Sequence, residues 1–225
     1  MINFKNTINT YRRFTKVGLH QQYFEVSKLE EEAIKTMFEL RKPKPGDIFL
    51  DIGCGAGKDC IYVQQKFAVL SIGVDLCKEM LETGREYFSE DWYRSCWIEG
   101  DALSLPFPNG RISYAFSNSM LPHLDPNSQE RFLGEVRRIL NCKGIFCLIT
   151  QNASYPRHIR DSICTLLKRR TPTNPLITLY ANWDGREWYF PSPFYLLKIF
   201  TKYFKILWTR NFPFGRWVAI IGAKL

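Results

Sequence analysis

Apolar residues gather along this chain in short runs separated by amphipathic stretches. Residues 47–52 (carrying Ile48, Phe49, Leu50 and Ile52), 69–75, 96–99, 112–117 and 144–150 read as strands, and the segments near 58–67, 78–89 and 127–140 as helices. Such alternation predicts a mainly parallel α/β sheet packed between helices. The helix before the fifth strand has a clear apolar stripe in Phe132, Leu133, Val136, Ile139 and Leu140. Upstream, Leu29, Ala33, Met37 and Leu40 recur at helical spacing until Lys42-Pro43-Lys44-Pro45-Gly46 breaks the pattern. Residues 1–45 are therefore expected to form a helical lid.

A chain of 225 residues can bury one large core, so a single domain over 1–225 accounts for the length. Nowhere do about 18 apolar residues run unbroken, and Lys5, Arg12 and Arg13 are not followed by a signal-type apolar core. The expectation is a soluble, cytoplasmic protein with no transmembrane segment. The seven cysteines (Cys54, Cys60, Cys77, Cys96, Cys142, Cys147 and Cys164) form no C-x-x-C pair and several sit in apolar runs, which predicts free thiols and no metal site.

Candidate chemistry begins at Asp51-Ile52-Gly53-Cys54-Gly55-Ala56-Gly57-Lys58-Asp59, where the first strand ends in glycines at alternate positions. These give a tight turn whose backbone can lie against a ligand. A dinucleotide fingerprint wants glycine or alanine where Lys58 stands, and a phosphate-binding P-loop frame would begin at Ile52 and end on Asp59, so both fit poorly. Asp51 beside the turn would repel a pyrophosphate and attract a cationic group. An acid about 20 residues beyond the glycines suits ribose hydroxyls, and Asp75 closes the second strand there. After the third strand, Asp101 followed by Ala102 offers an acceptor for an exocyclic amine with room for a flat ring. Each feature taken singly is ordinary: glycines make turns, and Asp51, Asp75 and Asp101 could cap a helix or bind loop amides. Their order and spacing together carry the reading.

That set resembles the cofactor site of the class I S-adenosylmethionine-dependent methyltransferases over residues 46–151, and Leu103-Ser104-Leu105-Pro106-Phe107-Pro108-Asn109-Gly110 is similar to a loop of the subgroup that methylates quinones and other small molecules. The helix from Arg131 to Leu140 and the following Asn141-Cys142-Lys143-Gly144 also resemble that subgroup, with Cys142 and Lys143 departing from its turn. The resemblance implies a Rossmann-like, doubly wound, mainly parallel seven-stranded sheet ending in an antiparallel hairpin strand. It assigns the methionine part of S-adenosylmethionine to Asp51, Gly53, Cys54, Gly55 and Gly57, the ribose to Asp75 with Leu76 beside it, and the adenine to Asp101 and Ala102. Asn118, ending the fourth strand, joins the cofactor set, and His123 nearby is the candidate catalytic base. Such enzymes pass from the fifth strand into a helix and a hairpin. Phe194, Leu197, Phe200, Tyr203 and Phe204 look like that helix, and Lys205 to Asn211 with Trp217 to Lys224 like the hairpin, joined by Phe212-Pro213-Phe214-Gly215. The chain thus divides into a lid (1–45), a cofactor core (46–151), an inserted substrate cap (152–190) and the terminal helix and hairpin (191–225).

Charge separates along these divisions. Residues 1–45 hold 9 Lys and Arg against 5 acids, residues 46–150 hold 10 against 14, and residues 151–225 hold 12 against 3. Basic flanks around an acidic core fit an anionic acceptor, RNA or a peripheral membrane contact, or a solvated face alone. The insertion interleaves Arg157, His158, Arg160, Lys168, Arg169 and Arg170 with Tyr180, Trp183, Trp188 and Tyr189, which suits stacking on an aromatic acceptor or on bases. The fourth strand runs into Asn118-Ser119-Met120-Leu121, unlike the [DN]-P-P-[YF] of amino-methylating nucleic-acid enzymes, and no Pro-Cys pair supports a cysteine nucleophile. The expected activity is methyl transfer by in-line displacement to a small anionic or aromatic acceptor. An RNA-modifying enzyme and a non-catalytic binding protein of the same fold are the alternatives; the oligomeric state is not readable.

Overall fold

The computed structural model describes residues 4–17, 23–67, 69–152, 178–183, 186–213 and 215–225, apart from the side chains of 4–7, 17 and 178–187. In chain order the elements are α1 (Phe4–Val17), α2 (Lys28–Leu40), β1 (Ile48–Ile52), α3 (Lys58–Phe67), β2 (Leu70–Asp75), α4 (Lys78–Phe88), β3 (Cys96–Glu99), β4 (Ile112–Asn118), α5 (Pro126–Ile139), β5 (Leu140–Gln151), β6 (Thr178–Trp183), β7 (Arg186–Pro191), α6 (Pro193–Thr201), β8 (Phe204–Arg210) and β9 (Trp217–Lys224). Short 3-10 turns cover Ser89–Arg94 and Leu121–His123.

Seven strands form one sheet in the order β3-β2-β1-β4-β5-β9-β8. The first five are mutually parallel and β9 runs antiparallel to both its neighbours. This is the expected doubly wound sheet with a reversed C-terminal strand. Alternate residues of each strand feed two cores. Leu50, Ile52, Phe146, Leu148, Val218 and Ile220 pack with Phe132, Leu133 and Val136 of α5 and Leu196 and Phe200 of α6. On the other face Phe49, Tyr114, Phe116, Cys147 and Ile221 meet Ala33, Ile34, Met37 and Phe38 of α2 and Cys60 and Val63 of α3. Each such fully buried aliphatic or aromatic side chain contributes about 1.5–3 kcal/mol relative to exposure, so the sheet is clamped from both sides.

The N-terminal region departs from a simple lid. Most of α2 is a core helix on the sheet, because Ala33, Ile34, Met37 and Phe38 are all buried there, while Leu40 at its end is 44% exposed. Among the described residues of this region, α1, the segment leading into α2 and the first turn of α2 (Lys28, Leu29 and Glu30) reach the cavity described below. A second difference is at Asn141–Gly144. These residues lie inside β5, which starts directly after α5 and changes register against β4 between Ile112 and Tyr114. A Cβ on Gly144 would come within 2.8–2.9 Å of the Leu140 side chain, so the irregularity needs glycine. A third is Phe204, which opens β8, whereas the apolar spacing continued the helix through it. Its ring lies 5.0 Å from Phe200 and 5.3 Å from Phe146, so helix end and strand start bury into one core and the spacing runs across the break. Phe194, part of the expected stripe, is 77% exposed.

Within residues 152–190 the structure contributes the β6–β7 antiparallel ribbon. The basic positions 157, 160 and 168–170, with His158 and Cys164, lie outside the described residues, as do the side chains of Tyr180 and Trp183 and all of Phe214. Among the described residues, no helix is long and apolar enough to cross a membrane. Strand order reverses between β1 and β4, which opens a crevice at the carboxyl edge of the sheet.

Candidate functional site

β1 ends at Ile52, and Gly53, Gly55 and Gly57 follow with φ of +76°, +56° and +83°. A side chain at Gly53 would be strained in this left-handed region and would also lie 2.8–2.9 Å from Met120. The turn is anchored on β2, since the N–H groups of Gly53 and Cys54 donate to Val74 O at 2.8 and 3.1 Å. Asp75 then ties three elements together: Gly55 N–H donates to its Oδ2 and Cys77 N–H, at the start of α4, to its Oδ1, both at 2.8 Å. Burial raises the Asp75 pKa even so, the two amide bonds opposing the shift. Each carboxylate oxygen keeps a second lone pair for a ligand. After β3, Asp101 Oδ1 accepts from Leu103 N–H at 2.8 Å, which shapes the turn holding Ala102.

These residues line one cavity of about 1170 Å³ at the carboxyl edge of the sheet. Of the residues assigned from the sequence, Gly53, Cys54, Gly55, Asp75, Leu76, Asp101, Ala102, Asn118 and His123 are on its wall. Asp51 and Gly57 are not. Asp51 is 1% exposed, one strand residue below the turn, and its Oδ2 has no hydrogen-bond partner among the described residues. Burial, reinforced by nearby Asp59, pushes its pKa well above the usual carboxylate range. Gly57 is pressed on Trp97, where a Cβ would lie 2.4 Å from the indole. Burial also pushes the Cys54 thiol well up, leaving it an inert wall group.

A charged cluster that the sequence reading did not identify stands beside the glycine turn. Lys58 Nζ lies 2.8 Å from Glu30 Oε1 and 3.0 Å from Asp59 Oδ2, and all three side chains are almost buried. Burial alone would lower the Lys58 pKa, but the two carboxylates outweigh it and the net direction is upward. Asp59 is raised to about 6, by burial above all. Glu30 also takes the Asn118 side-chain amide on Oε1 and Ser27 N–H on Oε2 at 2.5 Å, the latter as half of a capping box that starts α2. The box is legible as Ser27-x-x-Glu30, and Lys58 entered the sequence reading only as a mismatch to other fingerprints.

Aromatic side chains also line the cavity. Tyr11 of α1, Tyr23, His123, Trp188 of β7 and Trp217 of β9 all line it, along with Glu25, Gln151 and Arg216. The His123 ring centroid is 4.3 Å from that of Trp188, and its Nε2 is 3.3 Å from the Tyr11 hydroxyl. One buried amide sets this wall: Gln129 Nε2 on α5 donates to Leu121 O (3.3 Å), Leu124 O (3.0 Å) and Tyr189 O (2.8 Å), joining the His123 turn to the Trp188 strand.

The sheet order is that of the class I S-adenosylmethionine-dependent methyltransferases the sequence resembles, and the glycine turn, Asp75 and Asp101 stand at successive strand ends on one cavity. The donor set fits that cofactor, with a bare backbone turn at Gly53–Gly55, carboxylates after β2 and β3, and an excess of acids facing a cationic group. Residues 49–144 match the family described as a methyltransferase domain. The chain is 31% identical over 150 residues to a demethylmenaquinone methyltransferase of Symbiobacterium thermophilum, covering 64% of this chain and 57% of that protein. It is 28% identical over 92 residues to an ajmaline N-methyltransferase of Rauvolfia serpentina, covering 40% and 31% respectively, so it spans about a third to just over half of these relatives. The fold is shared with a 1,6-didemethyltoxoflavin-N1-methyltransferase of Burkholderia thailandensis, solved with 1,6-didemethyltoxoflavin and S-adenosylhomocysteine bound, at a TM-score of 0.69, 15% identity, and coverage of 98% of this chain and 88% of that one.

Proposed function

We propose that the chain methylates a small molecule held in this cavity. S-Adenosylmethionine, when bound, supplies a methyl group already activated on a positively charged sulfur. Gly53 to Ala56 would hold its methionine part, Asp75 and Leu76 its ribose, and Asp101 with Ala102 its adenine. The chain's own task is then to align the acceptor and keep water out, which the rings of Tyr11, Tyr23, His123, Trp188 and Trp217 are placed to do. For an acceptor that must lose a proton, His123 with the Tyr11 hydroxyl beside it is the candidate base.

The observation carrying this reading is that the cofactor carboxylates and the aromatic wall belong to one continuous cavity. At about 1170 Å³ it exceeds the pocket of a single drug-sized ligand, roughly 300–1000 Å³, and so has room for donor and acceptor together. The relatives' names, an ajmaline and a demethylmenaquinone methyltransferase, point to small acceptors as well. Among the described residues the wall carries Glu25, Glu30, Asp59, Asp75 and Asp101 against Lys28, Lys58 and Arg216, a balance that disfavours a polyanion such as RNA. The test is to incubate the purified chain with methyl-labelled S-adenosylmethionine, a metabolite extract and total RNA. Label is expected in the small-molecule fraction. Label confined to RNA would replace this reading by the RNA one, and calorimetry with no uptake of S-adenosylmethionine or S-adenosylhomocysteine would replace it by the non-catalytic one.

A further inference from the structure

Sheet order sets the sequence of groups that face the cofactor. Asp101 follows β3, Asp75 ends β2 and the glycine turn leaves β1, so the adenine, ribose and methionine assignments step across three neighbouring strands. The next strand along that edge is β4, which ends at Asn118, and its Ser117 hydroxyl donates to Ile52 O at 2.9 Å beside the turn. A methyl donor laid along this series brings its free amino-acid end, an ammonium and a carboxylate on one carbon, toward Asn118.

What stands there is an ion pair. The Asn118 amide donates to Glu30 Oε1, and Lys58 Nζ lies 2.8 Å from the same oxygen. Ser119 Oγ donates to Asn118 Oδ1 at 2.9 Å, which leaves the amide N–H for Glu30. Glu30, Lys58 and Asn118 all stand on the cavity wall, and Lys58 and Glu30 keep 11% and 10% of their side-chain surface. Asp51, the acid that the sequence offers to a cationic group, is off that wall.

Each member of the pair has a second holder. Lys58 Nζ also lies 3.1 and 3.0 Å from the two oxygens of Asp59, and Glu30 also accepts from Asn118 and from Ser27 N–H. The contact between Glu30 and Lys58 can therefore open when each meets an opposite charge. A ligand ammonium on Glu30 and a ligand carboxylate on Lys58 supply both charges at once. A ligand carrying one of them leaves the other side chain short of a partner where water barely reaches, which is costly.

We infer that the Glu30–Lys58 pair recognises the zwitterionic amino-acid end of the methyl donor, Glu30 taking the ammonium and Lys58 the carboxylate. This rests on the methyl-transfer reading and deepens it, assigning the donor's charged end to side chains of α2 and α3 outside the glycine turn.

The test reads binding to the full chain by calorimetry with four adenosyl thioethers: S-adenosylhomocysteine, its decarboxylated analogue, its deaminated analogue, and 5′-methylthioadenosine, which lacks both groups. Wild type is expected to bind S-adenosylhomocysteine about 10- to 100-fold more tightly than either singly truncated analogue, the difference that a hydrogen bond to a charged group makes. In Lys58→Met the preference over the decarboxylated analogue should vanish. In Glu30→Gln, which keeps the capping box, the preference over the deaminated analogue should fall by about fivefold or more. Both variants should bind 5′-methylthioadenosine as wild type does, which also shows that they are folded. Equal affinity of wild type for S-adenosylhomocysteine and both truncated analogues would overturn the inference without any variant. So would preferences that persist in the variants, or a loss that falls as heavily on 5′-methylthioadenosine as on S-adenosylhomocysteine. No uptake of any of the four by wild type would instead overturn the methyl-transfer reading.

Discussion

Asp75 stands on the cavity wall where the glycine turn meets α4. Its two oxygens accept from Gly55 and Cys77, so one carboxylate fixes both the glycine turn and the start of α4. Replacing it by alanine removes a charged acceptor for the ligand and frees two amides; hydrogen bonds to a charged group contribute about 1.5–3 kcal/mol, so S-adenosylhomocysteine should bind Asp75→Ala some 10- to 100-fold more weakly by calorimetry. Unchanged affinity would remove Asp75 from the site. Its place on the cavity wall was legible in the sequence, because it ends the second strand and strand ends of a parallel sheet share one edge. The same logic put Asp101 on that wall. It misled at Asp51, where acid type and closeness to the glycines suggested a charge facing the ligand, and burial one residue below the turn keeps the group off the wall. Lys58 carried no signal, since a lysine at a helix start is ordinary until the fold shows the buried carboxylates beside it.

Among elements, the link between the α5 helix, the His123 turn and β7 has the largest consequence for function. Gln129 is fully buried and spends its amide on three carbonyls of the two segments that carry His123 and Trp188. Gln129→Leu should leave those carbonyls unpaired at a cost of about 2–4 kcal/mol, since each unmade buried bond costs roughly 1–3 kcal/mol and the losses overlap. For a chain of this size that lowers Tm by roughly 4–16 °C. The same variant should alter Trp188 fluorescence while S-adenosylhomocysteine affinity stays near wild type; a variant of wild-type Tm would show that the link holds nothing. At this scale the strands were legible from runs that are apolar on both faces. The failures came at junctions. Phe200 and Phe204 bury in one core from a helix and a strand, so apolar spacing alone cannot mark where one becomes the other.

Across the whole molecule, charge is segregated: the chain carries a formal +9, yet acids outnumber bases on the described cavity wall. Burial lifts Asp59 to about 6 and Asp51 well above its ordinary value. From about pH 4 to 6 the folded chain therefore keeps a proton that the unfolded chain has released, so Asp59 adds stability below about pH 4 that is lost as pH rises through about 6. A cationic ligand next to Asp59 favours the charged carboxylate and expels that proton. Affinity for S-adenosylmethionine should thus rise from about pH 5 to 7, with net proton release near pH 5.5 seen by calorimetry in buffers of different ionisation enthalpy. Asp59→Asn should flatten the dependence, and wild-type affinity that is level over this range would refute the linkage. What the linear sequence determined was the alternating α/β sheet and the order of its cofactor-facing strand ends, because these depend on local periodicity, glycine conformation and position along a strand. Only the tertiary structure decided which acids meet the cavity, how α2 divides between core and site, and that the rings of Tyr11, Tyr23, His123, Trp188 and Trp217 share one cavity with the glycine turn. Those facts depend on contacts between residues up to about a hundred or more positions apart, such as Tyr11 with His123, for which no local pattern exists.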